Sequence, residues 1–454
     1  MLYRIAFPMM ITGLLMYGKS LISMVFLGKL GKDALAGGSL GIGIANISGY
    51  SVIYGLALGM EAISSQAFGA KHWPLLSQTL QRTLCILLFA CIPISLLWLN
   101  IHPLLLLCDQ DPTISSVAST YLTFCLPDLL FQSLINPLKI YLRAQNITLP
   151  LISSAAFALA LHAPINYFLV IRLSLGVPGV ALALSIADFA LLSTLIAYMH
   201  RKSSLAAWAA PALHCFDDDW RSILKLALPS CFSVCLEWWC YELMILISGI
   251  LSNAADAVAA MGILIQATSF VYIFPSALSL AASTRVGNEL GANQPGRARA
   301  ASQVAIVCAV ATSVMATSFM VTLADMWGRA FTDDEAVVAL TAALMPVVGL
   351  CELGNCPQTT GCGVLRGSAR PTLGAHINVG SFYGVGLPLA FLMAFVMKLG
   401  LLGLWLGLLG AQIVCALLML WILSRTNWVV QANRARQLLG IQFHHGLTSI
   451  TTFS

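Results

Sequence analysis

Long apolar runs separated by short polar or Gly/Pro-rich breaks make up most of the chain. Crossing a hydrocarbon core ~30 Å thick takes roughly 20 helical residues. Breaking the chain at its polar punctuation yields about twelve stretches of that length. Their approximate limits are 3–27, 38–68, 83–107, 117–141, 149–171, 179–199, 224–251, 257–284, 302–327, 336–363, 372–397 and 403–424. The spacings Gly55–Gly59 and Gly403–Gly407 within them mark faces where helices approach closely.

Composition turns that pattern into a class. Hydrophobic residues make up 59% of the 454, charged residues only 9%, and the mean hydropathy is +0.87. A soluble domain carries about a quarter charged residues, so water could not wet this surface. Soluble enzymes, disordered chains and nucleic-acid binders are excluded, the last despite a net charge of +5, because so few cations cannot coat a basic face. The expected fold is an all-α integral membrane protein. Its thirteen cysteines are scattered through apolar runs without a CxxC pair, so they read as small fillers; no metal, cofactor or structural disulfide is expected. The first run is too long for a cleavable signal peptide, and a span opening almost at Met1 leads us to expect a polar tail before it.

Charge placement gives sidedness. With both termini on one face, sixteen Lys and Arg collect there, among them Lys71, Arg82, Arg143, Arg366 and Arg434, against five on the other face. The positive-inside rule makes the first face, and both termini, cytoplasmic. The chain also repeats itself at an offset of about 222 residues. Gly69-Ala70 falls on Gly291-Ala292, Leu142-Arg143 on Leu365-Arg366, and Gly176 on Gly400. The expected organisation is a six-helix lobe at 1–199, a cytoplasmic linker at 200–222, a second six-helix lobe at 223–424 and a cytoplasmic tail at 425–454. Six is even, so the lobes insert the same way up and frame a central cleft, the architecture of alternating-access transporters. Asp217, Asp218 and Asp219 in the linker read as a solvated loop leading into a helix.

A carboxylate at mid-membrane costs several kcal/mol unless it is protonated or faces a cavity. The candidates are Glu61, Asp128, Asp188, Glu237, Glu242 and Glu352. Glu237 lies near the centre of the seventh span beside Trp238, Trp239 and Tyr241, and aromatic residues at that depth either line a cavity or pack on neighbouring helices. Glu242 follows by five residues and points about 140° away, so the two acids are expected to face different neighbours. Glu352 lies in a tenth span containing Pro346, Pro357 and several glycines, which reads as a bent or broken helix, and Asn355 shares its face. Glu61, beside Ser64, Ser65 and Gln66, reads equally well as a hydrated acid at the end of its span; Asp128 and Asp188 read equally well as structural.

These residues resemble the multidrug and toxic compound extrusion (MATE) transporters, in particular the plant branch. The resemblance spans essentially the whole chain. It rests on Ser64-Ser65-Gln66-Ala67-Phe68-Gly69-Ala70, on Ser283-Thr284-Arg285-Val286-Gly287-Asn288-Glu289-Leu290-Gly291, on Gly363-Val364-Leu365-Arg366-Gly367 and on Glu237-Trp238-Trp239. It implies two pseudo-symmetric six-helix lobes around a V-shaped cleft and export of organic ions in exchange for H⁺ or Na⁺. In similar eukaryotic members, coupling is ascribed to acids on the seventh and tenth helices. Glu237 matches the first of these, and Glu242 matches a second acid of some animal members. Asn355 stands at the usual tenth-helix position, with Glu352 one turn earlier. Gln266 replaces an eighth-helix acid and Ser23 the first-helix aspartate of bacterial members. The run from Glu352 to Gly363 looks like a plant subgroup linked to hormone-related and endomembrane roles.

The resulting expectation is proton-coupled efflux of a small organic solute by a monomer in the plasma membrane or an endomembrane such as vacuole or late endosome. Glu237, Glu352 and Glu242 are the proton-coupling candidates, and Gln266, Asn355, Tyr241, Trp238 and Trp239 the substrate-binding ones. Two rivals stand beside it: a Na⁺-coupled antiporter, and a non-transporting sensor or scaffold whose partner binds loops such as 200–222. An enzyme is disfavoured, since no nucleophile–base or metal constellation occurs.

Overall fold

A computed structural model describes residues 2–108, 110–202, 220–251 and 254–440. Among these, eleven helices are long and apolar enough to span a membrane, and a bent pair supplies the twelfth. They are α1 (Tyr3–Lys29), α2 (Lys32–Gly69), α3 (Trp73–Leu99), α4 (Pro112–Phe124 and Leu126–Ala144, bent 48° to each other), α5 (Leu149–Arg172) and α6 (Val177–Arg201). The second six are α7 (Trp220–Ser248), α8 (Ala255–Gly291), α9 (Pro295–Thr322), α10 (Glu335–Gly367), α11 (Pro371–Val396) and α12 (Gly400–Ser424). Most of the stretch 200–222 lies outside the described residues, although α7 already begins at Trp220. The tail is not all loop: α13 (Trp428–Leu438) caps its start with Asn427 and buries Trp428, Ala432 and Ala435 against α8 and α9, while 441–454 lie outside the described residues.

The internal repeat is written into the backbone. Among the described residues six non-glycines have positive φ, and they fall into three pairs at the repeat offset: Lys71 and Asn293, Asn146 and Ala369, Ser174 and Lys398. Gly176 and Gly400 add a fourth pair. Each sits just past a helix or at the head of the next, where a left-handed residue lets the chain reverse.

Packing follows the rule for helices in lipid: small residues inward, large apolar ones outward. In α9 the buried face is Ala298, Ser302, Ala305, Ala309, Ser313 and Ala316, while Val304, Val307, Val310 and Val314 are exposed to lipid. The halves meet most intimately where α2 crosses α7 and α8. A Cβ on Gly69 would lie 2.0 Å from the Asn288 carbonyl oxygen, and one on Gly291 2.0 Å from that of Gln66, so the contact is itself pseudo-symmetric. Overpacking of this kind costs about 1–3 kcal/mol. Gly69→Ala and Gly291→Ala are each expected to destabilise the purified protein by that amount, read from its thermal unfolding midpoint. An unchanged midpoint would mean the lobes do not need this contact.

Two sequence expectations require correction. The tenth span is not broken: α10 runs as one helix of 33 residues through Pro346 and Pro357. In a membrane span neighbouring helices and local adjustments re-satisfy the carbonyls that proline frees, so the rest of the ladder is kept, and the glycines serve packing instead. A Cβ on Gly363 would sit 2.2 Å from the Ser279 carbonyl oxygen of α8. The third span starts at Trp73, about ten residues earlier than its polarity suggested, because Arg82 is buried in the bundle rather than in a loop.

Candidate substrate and proton site

A cavity of about 310 Å³ lies between the halves. From the first half it takes Asn46 and Ile47, which open a π-helical turn in α2. Such turns loosen the regular ladder and recur at functional sites. From the second half, α7 contributes Glu237, Trp238, Tyr241 and Glu242, α8 contributes Thr268 and Tyr272, and α10 contributes Asn355.

The helical wheel explains which of the α7 side chains take part. Relative to Glu237, Tyr241 lies at about 40°, Trp238 at 100° and Glu242 at 140°, an arc that the cavity covers in full. The expectation that the two acids face different neighbours is therefore corrected: both border one cavity, at opposite edges of that arc. Trp239, at about 200°, lies outside the arc. Its indole Nε1 donates instead to the Ile47 carbonyl at 3.0 Å, tying α7 to the π turn. Trp238 stacks on Tyr54 across the lobe boundary, with ring centroids 6.4 Å apart. Gln266 is half-buried on α8 and does not line the cavity, whereas Ile265 and Thr268 on either side do.

Behind the cavity, α10 carries a buried polar stripe that joins two of the three proton-coupling candidates, Glu237 and Glu352. Gln358 Nε2 donates to Glu237 Oε2 at 3.5 Å and to Asn378 Oδ1 at 3.2 Å. Asn378 in turn donates to the Ser233 carbonyl at 3.2 Å and hydroxyl at 3.1 Å, fixing the amide on α7. Asn355 Nδ2 donates to Glu352 Oε2 at 2.9 Å. Thr359 Oγ1 stands between the two ends, 3.4 Å from Asn355 Oδ1 and 3.1 Å from Gln358 Oε1. It has one hydrogen to give, so it serves one acceptor at a time. Glu352 is 1% exposed and does not line the cavity; it reaches it only through Asn355.

A second charged cluster closes the lobes together. Glu61, a carboxylate of α2 with its side chain 2% exposed, accepts from Arg143 Nη2 at the end of α4 and from Arg366 Nε at 3.1 Å at the end of α10. Arg143 Nε donates to Thr284 Oγ1 of α8 at 3.3 Å, Arg366 Nη2 to Ser279 Oγ at 2.9 Å, and Gln66 Nε2 to the Gly367 carbonyl at 2.9 Å. One acid thus holds the two repeat-mated arginines, one from each half. The reading of Glu61 as a merely hydrated acid is overturned.

The first half has its own buried network. Asp188 pairs with Lys19 and accepts from Gln132 Nε2 at 3.0 Å, and Asp128 accepts from Tyr50 OH at 2.6 Å. Ser23 shares a 2.9 Å hydrogen bond with His162 Nε2. The carboxylate of Asp188 therefore already carries an ammonium partner supplied by the chain.

Sequence reasoning missed Gln358, Asn378, Tyr272 and the Glu61 cluster. The alignment of Leu142-Arg143 with Leu365-Arg366 was the available signal for the last, since paired arginines at the ends of repeat-mated helices invite a shared counter-ion.

Comparison with known proteins agrees with this fold. The MatE family model matches residues 8–168 and again 229–392, two segments at the repeat offset. Protein DETOXIFICATION 48 of Arabidopsis thaliana is 54% identical over 435 residues, covering 96% of this chain and 82% of that protein. Protein DETOXIFICATION 49 of the same plant is 52% identical over 442 residues, 96% and 87% of the two chains. The crystal structure of the eukaryotic MATE transporter AtDTX14 superimposes with a TM-score of 0.92 at 32% identity, over 96% of this chain and 97% of that one. A multidrug resistance MATE family transporter in its outward-facing conformation shares the fold, with a TM-score of 0.80 at 16% identity over 97% and 96% of the chains.

Proposed function

The chain belongs to the MatE family of multidrug and toxic compound extrusion transporters, and on that premise we propose that it exports a small organic solute in exchange for protons through the cavity beside Glu237. The observation that carries the reading is the placement of Glu237. It is a buried carboxylate on the wall of an inter-lobe cavity, held by a side-chain amide rather than by a cation. A carboxylate so placed is free to exchange its proton for a solute, whereas one held by arginine is not.

The cavity lining carries two carboxylates, three large aromatic rings and no Lys or Arg. That chemistry suits a neutral or cationic solute with a flat ring face, recognised by stacking on Trp238, Tyr241 and Tyr272. Proton uptake on Glu237 from the outer or luminal side removes the negative charge that holds the solute, and the solute leaves. Thr359 then turns its single hydrogen toward Asn355 or Gln358, which relays the change to Glu352. The lobes, taken as 1–199 and 223–424, rock to the inward state, and the proton leaves to the cytosol. Antiport demands only that proton and solute exclude each other from one site. Sidedness follows the charge bias, with both termini cytoplasmic and the Glu61 cluster sealing the cytoplasmic end.

Sodium coupling is the runner-up. Lys19 counts against it, because its ammonium already neutralises Asp188 in the first half. Trp238→Ala is expected to raise the KM for an aromatic solute roughly tenfold, about 1.4 kcal/mol of lost ring contact, with the proton stoichiometry unchanged. Uptake kinetics in proteoliposomes check this, and an unchanged KM would place the solute elsewhere.

A further inference from the structure

At the end of the molecule that carries the Glu61 cluster, a groove of about 820 Å³ opens between the start of α7, the α10–α11 turn and α13. That is within the volume range of ligand sites, about 300–1,000 Å³. Arg221 and Lys225 of α7, Arg370 of the turn and Arg434 of α13 line it, with Thr372 and Gln437, and no carboxylate is among the lining residues. Arg221, Lys225 and Arg434 are exposed and make no ion pair among the described residues. Arg370 is half-buried, and among the described residues its guanidinium donates to hydroxyls, Ser368 Oγ at 3.1 Å and Thr426 Oγ1 at 3.2 Å. Burial and the neighbouring charge of Arg434 lower the Arg370 pKa to about 10. Four cations thus converge on one concave surface, with no carboxylate among the described residues that line it.

We propose that this groove binds a multiply phosphorylated anion, with the headgroup of an anionic lipid as its source. Guanidinium groups match phosphate oxygens through paired N–H donors, and basic pockets between spans at the cytoplasmic face are suited to such headgroups. The lipid source is favoured by α13. Val429 and Val430 are 59% and 54% exposed just past the last span, and Val430 lies one turn from Arg434 on the same face. A helix that carries exposed apolar side chains beside cations just past the last span suits the membrane interface, where anionic headgroups lie. The lipid source rests on the cytoplasmic placement of this end, while the anion site itself rests only on the groove. Bound there, a headgroup would tie the start of α7 to the α10–α11 turn and to α13, all within the second half.

The test uses the full chain, purified in detergent, with three probes titrated separately: short-chain phosphatidylinositol bisphosphate, soluble inositol trisphosphate and short-chain phosphatidylcholine. The lipid bisphosphate is expected to bind saturably and phosphatidylcholine not at all. Arg370→Gln with Arg434→Gln should weaken the first at least tenfold, and so should Arg221→Gln with Lys225→Gln at exposed positions that cannot disturb the fold. Inositol trisphosphate binding as tightly as the lipid would keep the anion site and assign a soluble source. The proposal is overturned if no phosphate probe binds, if binding survives both double variants, or if binding emerges only after Asp217, Asp218 and Asp219 are changed to Asn, which would make the chain's own acids the occupant. None of these readings needs transport, so failure here leaves the antiport reading untouched, and the reverse.

Discussion

Glu237→Gln is expected to lower pH-gradient-driven solute uptake in proteoliposomes by about 100-fold, the upper part of the range for coupling between two ligands. Glutamine has the shape of the protonated acid and cannot release a proton, so the variant holds the site in its solute-releasing form at every pH. Its amide can still meet Gln358, and the purified variant should unfold at the same temperature as the wild type. The loss must also be specific: the solute Kd of the variant should be weak and independent of pH, where that of the wild type weakens as the pH falls. Asn355 offers a graded contrast. Asn355→Ala removes the donor to Glu352 without touching Glu237, so it should slow uptake severalfold while leaving the pH dependence of binding in place. A Glu237→Gln variant that transports within threefold of the wild type would shift the proton to Glu352.

The second large effect is expected at Glu61. Removing its charge leaves Arg143 and Arg366 buried at the lobe boundary without a shared counter-ion. Breaking a buried pair in this way costs about 3–5 kcal/mol. That cost falls on the closed state alone, since both arginines hydrate once the lobes part at that end. Glu61→Gln should therefore move the equilibrium toward opening of this end by roughly 10²- to 10⁴-fold. Spin labels at the repeat-mated turn positions Lys71 and Asn293, both exposed, report it directly as a longer inter-lobe distance. Arg366→Gln should restore part of the closed population in the double variant, because the two changes share one contact. A distance distribution unchanged by Glu61→Gln would mean that backbone contacts such as Gly69 against Asn288 close this end unaided.

The contrast between Glu237 and Glu61 shows what was legible in the chain. Helix number and the twofold repeat were legible because bilayer thickness dictates span length and because each lobe is a copy of the other. Glu237 was legible because a mid-span acid beside two tryptophans has few structural explanations. Glu61 was not, because its partners lie 82 and 305 residues away and polar neighbours disguise it as a span end. Gln266 and Trp239 were placed in the site by likeness and proximity, but one residue along a helix turns a side chain about 100° and takes it off the cavity wall. The prolines of α10 misled for a further reason: they break helices that water can rescue, while in lipid the same residues sit inside an unbroken span.

The proposal of proton antiport is tested most directly by following the internal pH of proteoliposomes under an imposed pH gradient, in sodium-free buffer. A weak organic acid, a neutral aromatic glycoside, an aromatic cation and bicarbonate are added in turn, to wild type and Glu237→Gln side by side. The predicted result is a proton flux that appears only with the ring-bearing neutral or cationic solute and is lost in the variant. Solute crossing without any proton movement, or only after sodium is restored, would contradict it.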